Sequence, residues 1–524
     1  MYKNLLIFLC LFHIFGNIIW LNLNKSPFTW DEAGHAIISF KFTDFFNGSN
    51  RNQDFLSISD YYPPFVHLLV SFLMLVFGKN ILIGPIIITG FFILAIVFLY
   101  LYSYELFHDK MAAFFAGSIF SLLPNIYALS RQYLLEIPLV AITLGALYFL
   151  EKNFKIFIIF LSLALMTKWT AIIFLFFPII YKLRWKKSLL ALSIAVLVNF
   201  PWYFHNLPTI LHASQITATP EVANPQSVFS YDSFKYYLFA ATNFQLTLLG
   251  MVFFVISVVY FILKKRKQSF FILGTLFFIY ISFTLIGNKN IRYIIFLAPI
   301  ACMLIGYFLS NFRKNLIYLS PSYEIKRESI TVATWLIFNY FIFYYFTLSF
   351  GMPLNSYAIH LRRSVNIPFF GWIDIINLGR DSSRYLAPTY DPTFWPNGVI
   401  VKELSYHNGQ KNIKILVVCE KPHLNQVNLE LERRGLNLKK IQFLAPYDIP
   451  PFSSDEELEK YLTGFDVILL ADYDLGPEGG IRAIPARLQI SNFLKSEKSN
   501  QFRLINTYPL PDEDKLDVYI TNEN

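Results

Sequence analysis

Long apolar segments recur from the N-terminus to about residue 350, and they constrain this chain more than any other feature. The 524 residues are 55% hydrophobic and only 15% charged, and the mean hydropathy is +0.45. A soluble protein of this length has no use for so many apolar segments, so the composition indicates a polytopic α-helical membrane protein. Phe and Tyr, with 56 and 32 copies, suit lipid-facing and interfacial positions.

The apolar pattern predicts about eleven transmembrane helices, and two stretches leave a choice. The segment 65–78 is apolar but shorter than the roughly 20 residues that a helix needs to cross a membrane. The stretch 155–182 fits either one long span or two short spans around Lys168. With that stretch divided, the predicted spans are 4–22, 81–103, 111–129, 134–150, 155–167, 170–182, 187–204, 235–263, 269–286, 292–310 and 330–350.

The distribution of basic residues decides both choices, because cytoplasmic loops are enriched in Lys and Arg. If 65–78 does not cross and 155–182 crosses twice, the basic clusters at 182–187 and 264–267 both fall inside. The N-terminus is then inside, the C-terminal part is outside, and 65–78 is an interfacial or re-entrant helix within a first external loop, 23–80. The short external loops keep few basic residues: Arg131, Lys168, Lys289 and Arg292.

The same topology argues against other classes of protein. The formal charge of +9 is explained by basic cytoplasmic loops, so no nucleic-acid partner is expected. Cys10, Cys302 and Cys419 are far apart and indicate neither a disulfide framework nor a metal cluster. The N-terminal apolar run lacks a small-residue cleavage site, so we expect a retained span rather than a signal peptide.

Two adjacent carboxylates, Asp31 and Glu32, follow the first span directly. Such a pair has no evident packing role, and it can serve as a general base for a hydroxyl or an amine. A solvated loop end is the structural alternative. The predicted topology places further polar residues on the same external side: Arg131, Glu136, Lys168, His205 and Arg292.

Six short motifs occur in order along residues 1–350. They are Asp31-Glu32, YYPPFVHLLVSFLMLVFG at 61–78, SRQYLLEIPLV at 130–140, LALMTKWTA at 163–171, PWYFHN at 201–206 and NKNIRYIIFLAPI at 288–300. In this pattern the chain resembles the GT-C superfamily of membrane glycosyltransferases, in particular the protein O-mannosyltransferases and the lipid A aminoarabinose transferases. It departs from the family at Glu136, where Asp is usual, and at Ala33-Gly34-His35. These departures leave the sugar and the acceptor open rather than the reaction class.

The resemblance implies transfer of a sugar from a polyprenyl-phosphate lipid to an acceptor on the outer membrane face, with inversion at the anomeric carbon. Asp31 is then the candidate base, and Glu32 orients it or binds the sugar. Lys168 and Arg292 are the candidates for the departing phosphate, because cations stabilise its developing charge and a guanidinium binds its oxygens bidentately. Tyr293 is grouped with them as a substrate-binding residue. A snorkelling arginine and an ordinary loop lysine are the structural alternatives.

Four further residues complete the set of substrate-binding candidates. Two of them, Arg131 and Glu136, could form an ion pair that shapes the cavity. Alternatively, Glu136 could contact the acceptor or a metal, and both interpretations stay open. Tyr62 precedes tandem prolines at the entry of the re-entrant helix, and His35 lies one helical turn beyond Asp31. No cofactor is required by the pattern. Asp31 and Glu136 could hold a divalent metal ion, but no His or Cys cluster demands one, so metal dependence stays open.

From about Met352 the apolar runs stop, and the pattern predicts a soluble, extracytoplasmic α/β domain at 411–524 with a mainly parallel sheet. A linker, 352–410, is expected to cover the external cavity of the membrane domain, 1–351. Acceptor recognition or a lid is one role for the α/β domain, and stabilisation or partner docking is the other. Strands are predicted at 411–420, 439–445, 465–474, 501–509 and 515–521, and helices at 423–435, 455–464 and 487–497.

The sequence therefore predicts a multi-pass plasma-membrane or inner-membrane glycosyltransferase, transferring a hexosyl or pentosyl group. Its expected partners are a polyprenyl-phosphate sugar lipid, membrane lipids, and an acceptor protein, lipid or glycan. Two alternatives stay open: a ligase for lipid-linked oligosaccharide, and a transporter or flippase for polyprenyl-linked glycans. A transporter more often has internal repeats and helices broken at the membrane midplane, and the sequence has no visible repeat.

Overall fold

The computed structural model describes residues 2–217, 227–264, 267–318, 323–352, 362–368, 370–377, 389–407, 412–446, 449, 451–472, 486–497 and 499–521. The chain divides into two compact units. The first unit comprises residues 1–23, 54–69 and 82–390, and the second comprises 24–53, 70–81 and 391–524.

Most of the described residues are helical. The helices are α1 Tyr2–Leu23, α2 Trp30–Phe46, α3 Phe65–Phe77, α4 Ile83–Phe107, α5 Lys110–Leu122, α6 Pro124–Leu129, α7 Glu136–Lys152, α8 Phe154–Thr167, α9 Ala171–Lys182, α10 Trp185–Thr217, α11 Tyr231–Ala240, α12 Thr247–Leu263, α13 Lys267–Thr284, α14 Leu297–Tyr318, α15 Tyr323–Phe350, α16 Asn397–His407, α17 Gln426–Gly435, α18 Asp455–Leu462 and α19 Arg487–Leu494. The strands are β1 Arg362–Ile367, β2 Gly371–Asn377, β3 Ile413–Val418, β4 Ile441–Leu444, β5 Val467–Ala471, β6 Phe502–Pro509 and β7 Lys515–Thr521.

The apolar helices identify an integral membrane protein. Within the described residues, α1, α4 and α10 are each long and apolar enough to cross a membrane, and the bent pair α11–α12 makes a fourth if it is one span. The predicted total of about eleven spans stays a prediction. The remaining apolar helices are shorter: Phe65–Phe77, Lys110–Leu122, Phe154–Thr167, Ala171–Lys182, Ser269–Thr284 and Leu297–Asn311.

The segment 235–263, predicted as one continuous span, is broken in the structure. A π-helical turn, Ala241–Gln245, follows α11, and α12 leaves it at an angle of 116°. Thr247 at the start of α12 has φ of +64°, which is rare for a β-branched residue. Polar side chains in the turn make the break favourable: Asn243 Oδ1 accepts a hydrogen bond from Asp374 N at 2.9 Å. Hydropathy does not reveal a break of this kind, because the polar interruption is short.

The predicted span 111–129 is also divided, into α5 and α6. Its N-terminus is set by Asp109, whose Oδ1 accepts hydrogen bonds from Met111 N and Ala112 N at 3.0 and 3.3 Å. The division falls at Leu123, and Pro124 opens the next helix as its first residue. Proline lacks the N–H that a continuing helix needs, so the position favours a new helix start.

The second unit contains a five-stranded sheet in the order β4-β3-β5-β7-β6. Strand β3 is parallel to both β4 and β5, whereas β7 is antiparallel to β5 and β6. The α/β prediction is confirmed, but a mainly parallel sheet is wrong. The last two strands follow each other with only a short turn between them, and such a connection joins antiparallel strands.

The α/β domain also begins before residue 411, where the sequence placed its start. Trp395 and the α16 residues Ile400, Val401 and Leu404 are buried in its hydrophobic core. Another part of the predicted linker, β1 and β2, forms an antiparallel pair in the first unit. The predicted linker 352–410 is therefore divided between the two units, since residues up to 390 belong to the first and those from 391 to the second.

Candidate functional site

Three predicted site residues come together in the first unit and form what we call the basic cluster: Lys168, Glu136 and Arg292. Glu136 is the first residue of α7, Lys168 follows α8 directly, and Arg292 lies in the turn before α14. Lys168 Nζ donates a hydrogen bond to Glu136 Oε1 at 2.9 Å, and Arg292 Nη1 lies 3.9 Å from the same oxygen. The cluster therefore holds two cations around one carboxylate and carries a net positive charge.

The three side chains of the basic cluster are largely removed from solvent. The side chains of Lys168, Glu136 and Arg292 are 12%, 4% and 14% exposed. A buried carboxylate is costly unless it is paired, and here both cations offset that cost. Electrostatic interactions are also stronger at a site of this kind than in water. The remaining positive charge makes the cluster suitable for an anionic group such as a phosphate.

An aromatic ring also contacts Lys168. Its Nζ lies 5.6 Å from the centre of the Tyr293 ring, which is a cation–π distance. The Tyr293 hydroxyl in turn accepts a hydrogen bond from Asn288 Nδ2 at 3.4 Å. Tyr293, predicted from the sequence as a substrate-binding residue, thus lies beside the basic cluster.

The turn that carries Arg292 is fixed by Asn290, Gln245 and Lys289, none of which is among the predicted site residues. Asn290 Oδ1 accepts hydrogen bonds from Arg292 N at 3.0 Å and from Arg292 Nε at 3.4 Å. Gln245, in the π-helical turn, donates from Nε2 to the carbonyl of Ile291 at 2.8 Å. Lys289 Nζ donates to backbone carbonyls at the end of α13, including Thr284 O. The only sequence signal for Gln245 is a polar side chain within an apolar run.

Arg131 lies in a different set of contacts of the first unit. Its guanidinium carbon is 4.3 Å from the centre of the Trp20 ring, and its Nη1 donates to Ser349 Oγ at 3.0 Å. The residue is only 2% exposed. Through these contacts Arg131 joins α1, the turn after α6 and α15. Arg131 therefore has a structural role. The ion pair between Arg131 and Glu136 stays a prediction.

The PWYFHN motif connects α10 to residues 54–62. His205 Nε2 lies 2.8 Å from Ser57 Oγ and 3.0 Å from Asp54 Oδ2, and Trp202 Nε1 donates to Ser59 O at 2.8 Å. Ser59 Oγ in turn donates to the carbonyl of Tyr62. His205 and the Tyr62 backbone therefore contribute to holding this segment in place, and a substrate contact from Tyr62 stays a prediction.

Asp31, Glu32 and His35 lie on α2, in the second unit. Thr29 is the N-cap, and Glu32 Oε2 accepts hydrogen bonds from Thr29 N at 3.1 Å and from Thr29 Oγ1 at 2.8 Å. Glu32 thus stabilises the helix start. Asp31 is half-buried in the first turn, where the helix dipole favours an ionised carboxylate. His35 is buried on the same side of the helix, one turn further on.

The metal question stays open. Among the described residues, no three His, Cys, Asp or Glu side chains are grouped as a metal site would require. The two residues named for a divalent ion, Asp31 and Glu136, belong to different compact units.

No protein-family model matches the sequence, and no curated protein matches it significantly. Solved structures of similar fold exist. One is ArnT, the lipid A aminoarabinose transferase, from Cupriavidus metallidurans in the apo state, with a TM-score of 0.57 at 12% identity over 99% of this chain and 97% of ArnT. ArnT bound to undecaprenyl phosphate gives a TM-score of 0.51 at 12% identity over 98% of both chains.

The archaeal oligosaccharyltransferase AglB from Archaeoglobus fulgidus, in complex with an inhibitory peptide and a dolichol-phosphate, is also similar. Its TM-score is 0.53 at 12% identity, over 89% of this chain and 69% of AglB. ArnT and AglB are both membrane glycosyltransferases of the GT-C superfamily. The resemblance inferred from the six motifs is thereby confirmed at the level of fold. This chain has the GT-C fold, a bundle of membrane helices followed by a C-terminal α/β domain.

Proposed function

We propose that this protein is a glycosyltransferase that moves a sugar from a polyprenyl-phosphate donor to an acceptor. The observation that carries the proposal is the basic cluster, in which Lys168 and Arg292 approach one oxygen of the buried Glu136 carboxylate. The GT-C fold supports it, as do similar proteins whose structures hold undecaprenyl phosphate or dolichol-phosphate.

In this reaction the bond between the anomeric carbon and the phosphate oxygen breaks, and negative charge develops on the departing phosphate. Lys168 and Arg292 stabilise that charge, because they are cations held in a region with little solvent. Glu136 fixes both cations before the donor arrives. Groups fixed in advance do not have to reorganise during the reaction, so their interactions lower the barrier.

Asp31 is the proposed general base. It takes the proton from the acceptor hydroxyl or amine while the acceptor attacks the anomeric carbon from the side opposite the phosphate, which inverts the configuration there. The ionised form that this role requires is favoured at the N-terminal turn of α2. We place the reaction on the extracytoplasmic face of the plasma or inner membrane, as the distribution of basic residues predicts.

The transferred group is a hexosyl or a pentosyl group, and the acceptor is a protein, a lipid or a glycan. The same assay distinguishes these possibilities. AglB is an oligosaccharyltransferase, and the similarity to it keeps a lipid-linked oligosaccharide ligase as the second candidate. A ligase needs room for a larger donor. Donors with one sugar and with several sugars therefore belong in the same experiment.

The test is release of polyprenyl phosphate from radiolabelled polyprenyl-phosphate sugars by the full chain in lipid vesicles. We compare the wild type with Asp31→Asn. Asp44→Asn is the matched control, since Asp44 lies on the same helix and pairs with Lys79.

Release by the wild type and by Asp44→Asn, and only a small residual release by a folded Asp31→Asn, is the expected result. Equal release by all three proteins would keep the transferase and remove Asp31 as the base. Lipid translocation without release of polyprenyl phosphate from any donor would mean that the protein is a transporter.

A further inference from the structure

The carboxylate pair Asp31-Glu32 is preceded by a short segment that has an unusual set of partners within the second unit. Thr29 is the N-cap of α2, so Pro27 and Phe28 lie just outside the helix. Carbonyl groups before the N-cap have no donor within the helix. A buried carbonyl needs a partner elsewhere, and what binds these carbonyls determines how the chain enters α2.

Two side chains of the C-terminal α/β domain bind these consecutive carbonyls. Asn428 Nδ2 donates to Phe28 O at 2.6 Å, and His423 Nδ1 lies 2.8 Å from Pro27 O. A carbonyl oxygen only accepts, so the proton of His423 is on Nδ1. The two contacts join residues 396 and 400 positions apart in the chain.

The segment is held at a third point. Lys25 N donates to Asp391 O at 2.6 Å, and Asp391 N donates back to Asn24 Oδ1 at 2.9 Å. Asp391 opens the C-terminal part of the second unit. Four of the five residues from 24 to 28 are therefore bound by the C-terminal part of the chain: Asn24, Lys25, Pro27 and Phe28.

The donors themselves are fixed by the α/β domain. Asn425 caps α17, and its Oδ1 accepts from Asn428 N at 3.1 Å. Asn428 is only 2% exposed. On the other side, Asn397 Nδ2 donates to the carbonyl of His423 at 2.8 Å, and the Trp395 ring centre lies 5.5 Å from that of His423. Both donors are thus positioned by contacts that do not involve α2.

We infer that His423 and Asn428 are positioning residues, through which the α/β domain fixes the orientation of the helix that carries Asp31. The inference rests on the proposed function of Asp31 as the base. It also assigns a role to the α/β domain. If the α/β domain were a lid that opened independently of α2, it would have to break its hydrogen bonds to Pro27 and Phe28. In addition, α2 and the α/β domain belong to one compact unit. The α/β domain and Asp31 therefore move together.

A displacement of about 1 Å at a reacting group costs roughly 100-fold in rate. We therefore expect Asn428→Ala and His423→Ala to lower kcat by about 10- to 100-fold and to leave the donor KM nearly unchanged. His423→Asn keeps an N–H donor near the position of Nδ1 and should restore most of the rate. Gln426→Ala is the matched control, because Gln426 on the same helix donates its amide to a carbonyl of the α/β domain, Phe443 O, at 3.1 Å.

A second readout separates positioning from acceptor binding. In the Asp31→Asn background, Asn428→Ala should cost little of the remaining rate, because the group that it positions is already disabled. The inference is overturned if Asn428→Ala and His423→Ala have the same kcat as Gln426→Ala, or if they raise the acceptor KM instead of lowering kcat. It is also overturned if Asn428→Ala lowers kcat by the same factor in the wild-type and in the Asp31→Asn background. A fully active Asp31→Asn would overturn the proposed base and this inference together. A strongly slowed Asp31→Asn beside fully active His423→Ala and Asn428→Ala would overturn this inference alone.

Discussion

Lys168 Nζ lies 2.9 Å from Glu136 Oε1, and both side chains are largely removed from solvent. The two residues are 32 positions apart and lie at the ends of different helices, α8 and α7. Arg292 approaches the same oxygen, so the carboxylate separates two cations that would otherwise repel each other. This arrangement lets two positive charges stay close together before an anion binds.

The first prediction concerns the removal of that carboxylate. Glu136→Gln leaves two buried cations without their counter-charge, and breaking a buried ion pair typically costs about 3–5 kcal/mol of stability. We expect a clearly lower thermal midpoint. Polyprenyl phosphate should restore more of that midpoint in Glu136→Gln than in the wild type, because the anion replaces the lost charge. An unchanged midpoint, or no added effect of the lipid phosphate, would contradict the prediction.

The second prediction concerns the geometry of the guanidinium. Arg292→Lys keeps the positive charge but loses the two parallel N–H donors that match two phosphate oxygens. We expect the affinity for polyprenyl phosphate to fall by about tenfold, which corresponds to about 1.4 kcal/mol. Binding measured by the lipid-induced shift of the thermal midpoint is the test. Equal affinity would mean that Arg292 acts as a charge alone or does not touch the phosphate.

Several features of the site were predictable from the sequence, because a charged residue in or beside an apolar span is rarely there for packing alone. Lys168 was identified in this way, whereas Glu136, Arg292 and Tyr293 were identified through the motifs that resemble the GT-C glycosyltransferases. Their pairing was not. Arg131 and Glu136 are only five residues apart in the sequence, which favours their pairing. In the structure, Glu136 pairs with Lys168 after α8 and with Arg292 in the turn before α14.

The fold was predictable to a similar extent. Hydropathy located the apolar helices, and alternation of strand and helix located the α/β domain. The break between α11 and α12 was not predicted, because the polar side chains that stabilise it, such as Gln245, bind partners distant in sequence. The antiparallel edge of the sheet was missed because strand direction depends on connection length rather than on hydrophobic pattern.

The third prediction tests a close contact between two helices of the first unit. A Cβ atom on Gly306 of α14 would lie 2.5 Å from the backbone oxygen of Ala112 on α5. Small residues let membrane helices approach this closely. Gly306→Ala should therefore destabilise the protein by about 1–3 kcal/mol, measured as a loss in thermal midpoint.

Gly90 of α4 is the matched control for that substitution. A Cβ atom there meets nothing within 4 Å. Gly90→Ala should be neutral or stabilising by up to about 1 kcal/mol, because alanine loses less backbone entropy on folding than glycine. Equal effects of the two substitutions would contradict the close helix contact.

The fourth prediction concerns pH. Burial lowers the pKa of His423 below its ordinary value of 6.5, although the Pro27 carbonyl and the carboxylates of Asp391 and Asp512 act in the opposite direction. The unfolded chain therefore binds more protons than the folded chain as the solution becomes acidic, and stability falls as the pH drops below 6.5. We expect this loss to be smaller in His423→Asn, which has no group that titrates there. The comparison is the thermal midpoint of both proteins across the acidic range, and identical profiles would contradict it.

The most direct test of the account is binding of polyprenyl phosphate to the full chain in lipid, measured for Lys168→Gln and Arg292→Gln beside the wild type. Lys152→Gln is the control, since Lys152 forms an exposed ion pair with Glu105 at 2.6 Å, away from the basic cluster. We predict that Lys168→Gln and Arg292→Gln each weaken binding by at least about tenfold, because each removes a charge-assisted contact to the phosphate. Lys152→Gln should bind like the wild type. Wild-type affinity in both cluster variants would contradict the claim that the basic cluster is the donor phosphate site.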